Sequence, residues 1–196
     1  RDLTHFLLQF PGIGNYWNQP VFLGGCKADE STVIGNLIDS IHYQDYPQDM
    51  LTVFVIADNC TDNTAEIARQ KGAICYDRQN DKERTKGFAL RFLFEQIEKD
   101  YGIESFEGYF IFDADNLVDR DFVKEMNLKL CKGFKVLTSY RNSKNYGTNW
   151  ITAGYSLWFL REAKYLNHAR MKFGTSCAIS GTGFCISREI VEKNNG

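Results

Sequence analysis

Leu51-Thr52-Val53-Phe54-Val55-Ile56-Ala57 runs apolar almost without interruption and stops abruptly at Asp58. A strand exposed on one face would alternate polar with apolar residues, so this run predicts a strand covered on both faces of a sheet. Shorter apolar runs recur at Val21 to Leu23, Ala73 to Tyr76, Tyr109 to Phe112, Phe134 to Thr138 and Phe184 to Ile186. Between them lie helical patterns. Ser31 can cap a helix with Val33, Ile34, Leu37, Ile38 and Ile41 on one face. Asp62 or Thr61 can cap the next, which closes at Lys71-Gly72, and Thr85 to about Lys99 turns Phe88, Ala89, Phe92, Leu93 and Ile97 inward. Asp119 is expected to open a helix carrying Phe122, Val123, Met126 and Leu130, and Thr152 to Arg170 reads as one long helix. Strands alternating with helices of that length predict an α/β fold with a mostly parallel central sheet and helices on both faces.

At 196 residues the chain has room for one such domain. Residues 1–20 hold two of the three prolines and no sustained periodicity, so they read as an irregular leader before a domain over 21–196. Arg1-Asp2-Leu3-Thr4 shows neither an initiator Met nor a signal-peptide pattern, which reads as a piece of a longer protein or a processed one. Lys and Arg number 23 against 25 Asp and Glu, a net charge of −2. That balance gives no global attraction to nucleic acid, and none is expected as a partner. No apolar stretch approaches the roughly 20 residues of a membrane helix. The six cysteines form no Cys-x-x-Cys pair and have no His at zinc-ligand spacing, so they read as reduced, mostly buried thiols.

Ligands of open parallel sheets gather beyond the carboxyl ends of the strands, and three of those ends are acidic: Asp29-Glu30, Asp58, and Asp113-Ala114-Asp115. Asp113 and Asp115 are two apart, so on an extended backbone their carboxylates point to one side. Carboxylates brought that close repel, and a hard divalent cation such as Mg²⁺ or Mn²⁺ relieves the repulsion. A calcium loop of the EF-hand kind is excluded, because its sixth position would be Val118 and its twelfth Lys124. Lys86-Gly87 opens a helix, where an ammonium and backbone N–H groups can face a phosphate. The bland alternatives are a solvated acidic loop for Asp113 and Asp115, and a turn with an N-cap for Asp58 to Thr64.

Together these segments resemble the family 2 glycosyltransferases with the three-layer, Rossmann-like GT-A fold, a superfamily that includes cellulose, chitin and hyaluronan synthases. The resemblance covers about residues 20–190. Val55-Ile56-Ala57-Asp58-Asn59-Cys60-Thr61-Asp62-Asn63-Thr64-Ala65 is similar to the family's second-strand signature, which implies that Asp58 contacts the uracil of a UDP-sugar. Lys86-Gly87-Phe88-Ala89-Leu90 resembles the segment lying along the nucleotide, and Asp29-Glu30 stands where the family often has Asn-Glu. Asp113-Ala114-Asp115-Asn116 resembles the Asp-x-Asp motif, implying that Asp113 serves the donor ribose and that both carboxylates serve a metal on the diphosphate. Gly181-Thr182-Gly183 resembles the turn lining the acceptor pocket.

The resemblance implies a metal-dependent transfer, with inversion, from a UDP-sugar to an acceptor hydroxyl of a saccharide or lipid. It places the catalytic base after Gly196, since Glu189 and Glu192 read as parts of a surface helix. It also implies a cytoplasmic domain, with membrane attachment at the inner face of the cell membrane possible through segments outside the chain. Without packing from those segments, the turn at Gly181 to Gly183 and the helix from Thr152 are expected to be poorly held. Two other readings are a non-catalytic nucleotide-sugar binding module and a phosphatase of the haloacid dehalogenase kind. The second normally carries Asp-x-Asp on its first strand, not its fourth.

Overall fold

The structure, a computed structural model, describes residues 20–27 and 30–194. The leader before Pro20 therefore lies outside the described residues, as does Asp29. In chain order the elements are β1 (Pro20–Lys27), α1 (Ile34–His42), β2 (Thr52–Asp58), α2 (Thr64–Gln70), β3 (Ile74–Arg78), α3 (Lys86–Asp100), β4 (Gly108–Asp113) and α4 (Phe122–Leu130). There follow β5 (Val136–Thr138), α5 (Trp150–Leu160), a π-helical segment (Arg161–Asn167), α6 (His168–Lys172), β6 (Phe184–Ser187) and α7 (Arg188–Asn194).

The six strands form one sheet in the order β3-β2-β1-β4-β6-β5. β3, β2, β1 and β4 pair in parallel. β6 runs antiparallel to both β4 and β5, and it is the one strand that departs from the parallel pattern in this sheet.

The unbroken apolarity of β2 has a direct structural cause. Val53 and Val55 pack into a core with Ile34, Leu37, Ile38 and Ile41 of α1. Phe54 and Ile56 face the opposite core, with Ala89, Leu93, Phe94 and Ile97 of α3. β4 divides in the same way, sending Phe110 and Phe112 to the first core and Tyr109 and Ile111 to the second. Each fully buried aliphatic or aromatic side chain contributes about 1.5–3 kcal/mol, so both layers of helices are held to the sheet by a central strand that neither could replace.

Several expected boundaries shift. Ser31 does not cap α1, whose N-cap is Val33 without a side-chain hydrogen bond. α4 starts at Phe122, after a loop in which the Asp119 carbonyl accepts from the Phe122 N–H at 3.1 Å. The expected long helix runs from Trp150 to Lys172 and widens to π geometry between Arg161 and Asn167. Apolar periodicity marks where a helix is, but not how tightly it is wound. Among the described cysteines, Cys185 is buried and Cys60, Cys75, Cys131 and Cys177 are half-buried. Burial pushes the Cys75 thiol up to about 11, which keeps it protonated and unreactive near neutrality.

Candidate functional site

Parallel pairing brings the carboxyl ends of β1, β2, β3 and β4 to one edge of the sheet. Lys27 pairs with Asp58, Asp58 with Arg78, and Gly25 with Asp113. The residues that follow each strand therefore share one rim.

Asp58 closes β2 almost completely out of solvent, and so does Arg78 at the end of β3, their side chains being 3% and 5% exposed. Arg78 Nη1 donates to Asp58 Oδ1 at 2.7 Å. It also donates to the Glu83 carbonyl at 2.9 Å, while Nη2 donates to Glu83 Oε2 at 3.3 Å. Asn59 takes up positive φ, at 56°, a conformation that Asn tolerates better than most residues. Its side chain then clasps the next loop, accepting from the Asn80 N–H at 2.9 Å and donating to the Asn80 carbonyl at 3.2 Å. The loop from Gln79 to Thr85 is thus wrapped around Arg78 and delivers Lys86 as the first residue of α3. A Cβ added at Gly87 would meet only Thr85 Oγ1, at 3.8 Å. Packing within the protein does not require a glycine there, and the first turn of α3 is open.

β4 ends at Asp113, and the chain turns at once, the Asp113 carbonyl accepting from the Asn116 N–H at 3.1 Å. The expected strand-like alternation of Asp113 and Asp115 is therefore corrected: both lie on a β-turn, and the turn rather than the pleat sets their relation. Two contacts, one from α1 and one from just beyond its end, hold the following loop. Ser40 Oγ accepts from the Val118 N–H at 3.1 Å, and buried Gln44 donates to the Asp119 carbonyl at 2.7 Å.

The Gly181 to Gly183 turn is fastened to the same place. Asp113 N–H donates to Thr182 Oγ1 at 2.8 Å, Thr182 Oγ1 bonds Asn116 Oδ1, and Gly183 N–H donates to the Ile111 carbonyl at 2.8 Å. Gly181 and Gly183 have φ of 58° and 69°, and a Cβ at Gly183 would stand 2.9 Å from Ser139 Oγ. Glycine is required at Gly183 on both grounds. The expectation that this turn lacks packing partners is thus corrected for these residues. Lys86 Nζ joins the two segments, bonding Asp113 Oδ1 and donating to the Gly181 carbonyl at 2.6 Å.

The rim is electrostatically strained. Burial, then Asp115, Asp113 and Asp62 in turn, push the Glu30 carboxyl above its ordinary value, so four acids from three loops share one field. Among the described residues no group of three or more His, Cys, Asp or Glu side chains is arranged to hold a metal ion. Asp113 and Asp115 offer hard oxygen donors of the kind Mg²⁺ and Mn²⁺ accept. Mg²⁺ characteristically takes one or two carboxylates and completes its shell with water and phosphate oxygens.

Asp62 serves a different purpose. Its carboxylate accepts from the Thr64 hydroxyl at 2.5 Å, the Thr64 N–H at 3.0 Å and the Ser31 N–H at 3.0 Å, and Thr64 Oγ1 accepts from the Glu30 N–H at 3.0 Å. Asp62 and Thr64 thereby lock the loop after β1 onto the loop after β2. Donation from the Thr64 hydroxyl, with the Ser31 and backbone bonds, holds the Asp62 carboxyl down at about 2. Its folded value lies below the unfolded one near 4, so its contribution is complete above pH 4 and is lost as pH falls through about 2. Asp62→Asn should therefore be less stable than wild type at pH 7, and the gap in urea midpoints should narrow only below pH 4. A gap that stays constant down to pH 3 would show that the charge contributes nothing.

The structure brings Glu30, Asp58, Lys86, Gly87, Asp113, Asp115 and Gly181-Thr182-Gly183 to one rim. Asp29 is outside the described residues. Glu189 and Glu192 lie on α7, away from this constellation and committed to ion pairs, Glu189 with Lys135 and Lys193 and Glu192 with Arg188. Arg78 was not anticipated from the sequence. The available signal was its place as the last residue of the strand following β2, the register position opposite Asp58.

The family described as "Glycosyltransferase like family 2" matches residues 26–195. No curated sequence matches the chain significantly. Among solved structures, the mannosyltransferase PcManGT from Pyrobaculum calidifontis, in complex with GDP-Man and Mn²⁺, is 20% identical with a TM-score of 0.62, over 98% of this chain and 52% of that one. S. aureus TarS 1–349 in complex with UDP-GlcNAc is 16% identical with a TM-score of 0.61, over 91% of this chain and 47% of that one. Glucosyl-3-phosphoglycerate synthase from Mycobacterium tuberculosis, in complex with Mn²⁺, UDP and phosphoglyceric acid, is 18% identical with a TM-score of 0.56, over 93% and 63%. At these identities the likeness is one of fold, and the chain spans between about a third and a half of the length of the first structures it matches.

Proposed function

Because the chain belongs to the glycosyltransferase-like family 2 and has its GT-A fold, we propose that it forms the donor side of an enzyme that transfers a sugar from a UDP-sugar to an acceptor hydroxyl with inversion. The observation that carries this reading is the rim itself, where a buried carboxylate–guanidinium pair lies beside a crowded acidic field and one ammonium. A nucleoside diphosphate has complementary parts: a base with fixed donors and acceptors, and a polyanion that needs cations. The solved structures of the same fold that hold UDP-GlcNAc, UDP or GDP-Man support a nucleotide-sugar donor.

In this reading Asp58, oriented by Arg78, accepts the N3–H of uracil. Asp29 and Glu30 line the nucleotide, Asp113 faces the ribose, and Lys86 with the open turn at Gly87 faces the diphosphate. Asp113 and Asp115 would hold Mg²⁺ or Mn²⁺, which when bound supplies positive charge to the leaving diphosphate. Gly181-Thr182-Gly183 lines the acceptor side, and the acceptor is a saccharide or lipid hydroxyl. None of the described acids is assigned as the general base, and the base is supplied by polypeptide outside the described residues. The domain works at the cytoplasmic face of the cell membrane. Among the described residues no helix is long and apolar enough to cross it.

Release of UDP from a panel of UDP-sugars, with and without candidate acceptors, separates an enzyme from a non-catalytic binding module. We expect acceptor-dependent release. Tight UDP binding with no release under any acceptor, by the longest available form of the protein, would overturn the catalytic reading.

A further inference from the structure

We propose, on the basis of that nucleotide-sugar reading, that Lys144 is a diphosphate-binding residue of the donor site, its ammonium meeting the β-phosphate of the nucleotide from the loop after β5. The direction of the sheet brings this loop to the rim. β6 runs antiparallel to β4, and β5 antiparallel to β6, so β5 points the same way as β4. Its last residue, Thr138, stands level with Phe184, which in turn stands level with Ile111 near the end of β4. Residues 139–149 therefore leave the sheet at the edge where Asp113 and Asp115 lie, the edge at which parallel sheets gather their ligands.

The loop is anchored on both sides of Lys144. Before it, Ser139 Oγ donates to the Gly183 carbonyl at 2.8 Å. Arg141 Nη1 donates to the Ser180 carbonyl at 2.9 Å and Nη2 to Glu162 Oε2 at 2.8 Å, and the guanidinium lies 5.0 Å from the Phe159 ring centroid. After it, the Asn145 carbonyl accepts from the Thr148 N–H and from the Thr152 hydroxyl, each at 2.9 Å. Between these anchors Lys144 Nζ donates to the Asp115 carbonyl. The backbone is thus already placed, and binding an anion orders only the lysine side chain.

The ammonium there is underused. It offers three donors, and among the described residues the Asp115 carbonyl is its one partner and no carboxylate pairs with it. Lys86 and Arg141 differ in this respect, since Asp113 and Glu162 neutralise them. Tying down a carbonyl needs only a neutral donor, as Asn59 shows at the Asn80 carbonyl, whereas a full and exposed positive charge suits a polyanion. The diphosphate is also where charge develops. As the acceptor oxygen bonds to the anomeric carbon, the bond from that carbon to the β-phosphate oxygen breaks and its electron pair stays on that oxygen. The acceptor proton passes to the general base assigned above to polypeptide outside the described residues. The β-phosphate thereby gains negative charge, and an ammonium against it favours departing UDP over the intact donor. Lys86 from α3 and Lys144 from the loop after β5 then serve one diphosphate from two separate elements.

The test titrates UDP and UMP calorimetrically into the full chain and into Lys144→Ala, Lys144→Arg and Lys132→Ala, all at one fixed Mn²⁺ concentration. Lys132, exposed in the turn before β5 begins, is the control cation. Lys144→Ala should bind UDP about tenfold more weakly than wild type and UMP within about twofold, because UMP has no β-phosphate to lose. Lys144→Arg keeps the charge and should hold UDP within about threefold of wild type, and Lys132→Ala within about twofold. The thermal midpoint read by circular dichroism should not move in any variant. Wild-type UDP affinity in Lys144→Ala would overturn the role of Lys144 and leave the nucleotide-sugar reading standing. So would equal losses for UDP and UMP, which would place Lys144 away from the β-phosphate. No binding of UDP by the wild-type chain would overturn both.

Discussion

Asp58→Ala is expected to unfold at markedly lower denaturant than wild type, by about 1–3 kcal/mol, because it removes one partner of a buried guanidinium that keeps only Glu83. Both side chains are almost wholly enclosed, so the pair exchanges little with solvent. Arg78→Met should cost a similar amount for the converse reason. The double variant Asp58→Leu with Arg78→Met is the informative one. Replacing a buried ion pair by apolar residues of similar volume is often neutral or stabilising, so most of the stability should return while nucleotide recognition does not. Binding is then compared among UDP, CDP and GDP. A carboxylate accepts the N3–H of uracil but meets a lone pair at N3 of cytosine, and GDP is included because guanine N1–H offers the same donor. A wild-type protein that binds UDP and CDP equally would remove Asp58 from base recognition. A double variant as unstable as either single one would show that the fold needs the ion pair itself and not merely its volume.

Removing divalent cations should weaken UDP binding by about 100-fold, equivalent to about 2.7 kcal/mol. Without a cation the diphosphate enters a field set by Glu30 and by Asp115, Asp113 and Asp62, the acids that, after burial, push the Glu30 carboxyl above its ordinary value. Lys86 cannot offset that alone, since its ammonium is shared between Asp113 and the Gly181 carbonyl. Asp115→Asn should reproduce most of the loss in the presence of Mg²⁺ or Mn²⁺. Calorimetric titrations with equal affinity before and after chelation would dispose of the metal-bridged reading.

The order of strands and helices was legible in the sequence because it depends on local periodicity. The run Leu51 to Ala57 had to be covered on both faces, and the apolar stripe from Val33 to Ile41 had to lie on a sheet. With parallel strands granted, the gathering of Glu30, Asp58 and Asp113 at one rim followed from chain direction alone. The tertiary structure decided what those residues do to one another. Arg78 became the partner of Asp58 through the register of β2 and β3. Asp62 and Thr64 came to fasten the loop carrying Glu30 through contacts spanning more than thirty residues. Asp113 and Asp115 exchanged a pleat for a β-turn because the Gly181 to Gly183 segment captures the backbone just as β4 ends. α5 is the clearest case: none of its residues is charged, and only the tertiary structure shows that none of them is buried among the described residues. Periodicity records which faces of an element are apolar, but the pairing of buried charges and the choice of covering partner depend on distances between segments far apart in the chain.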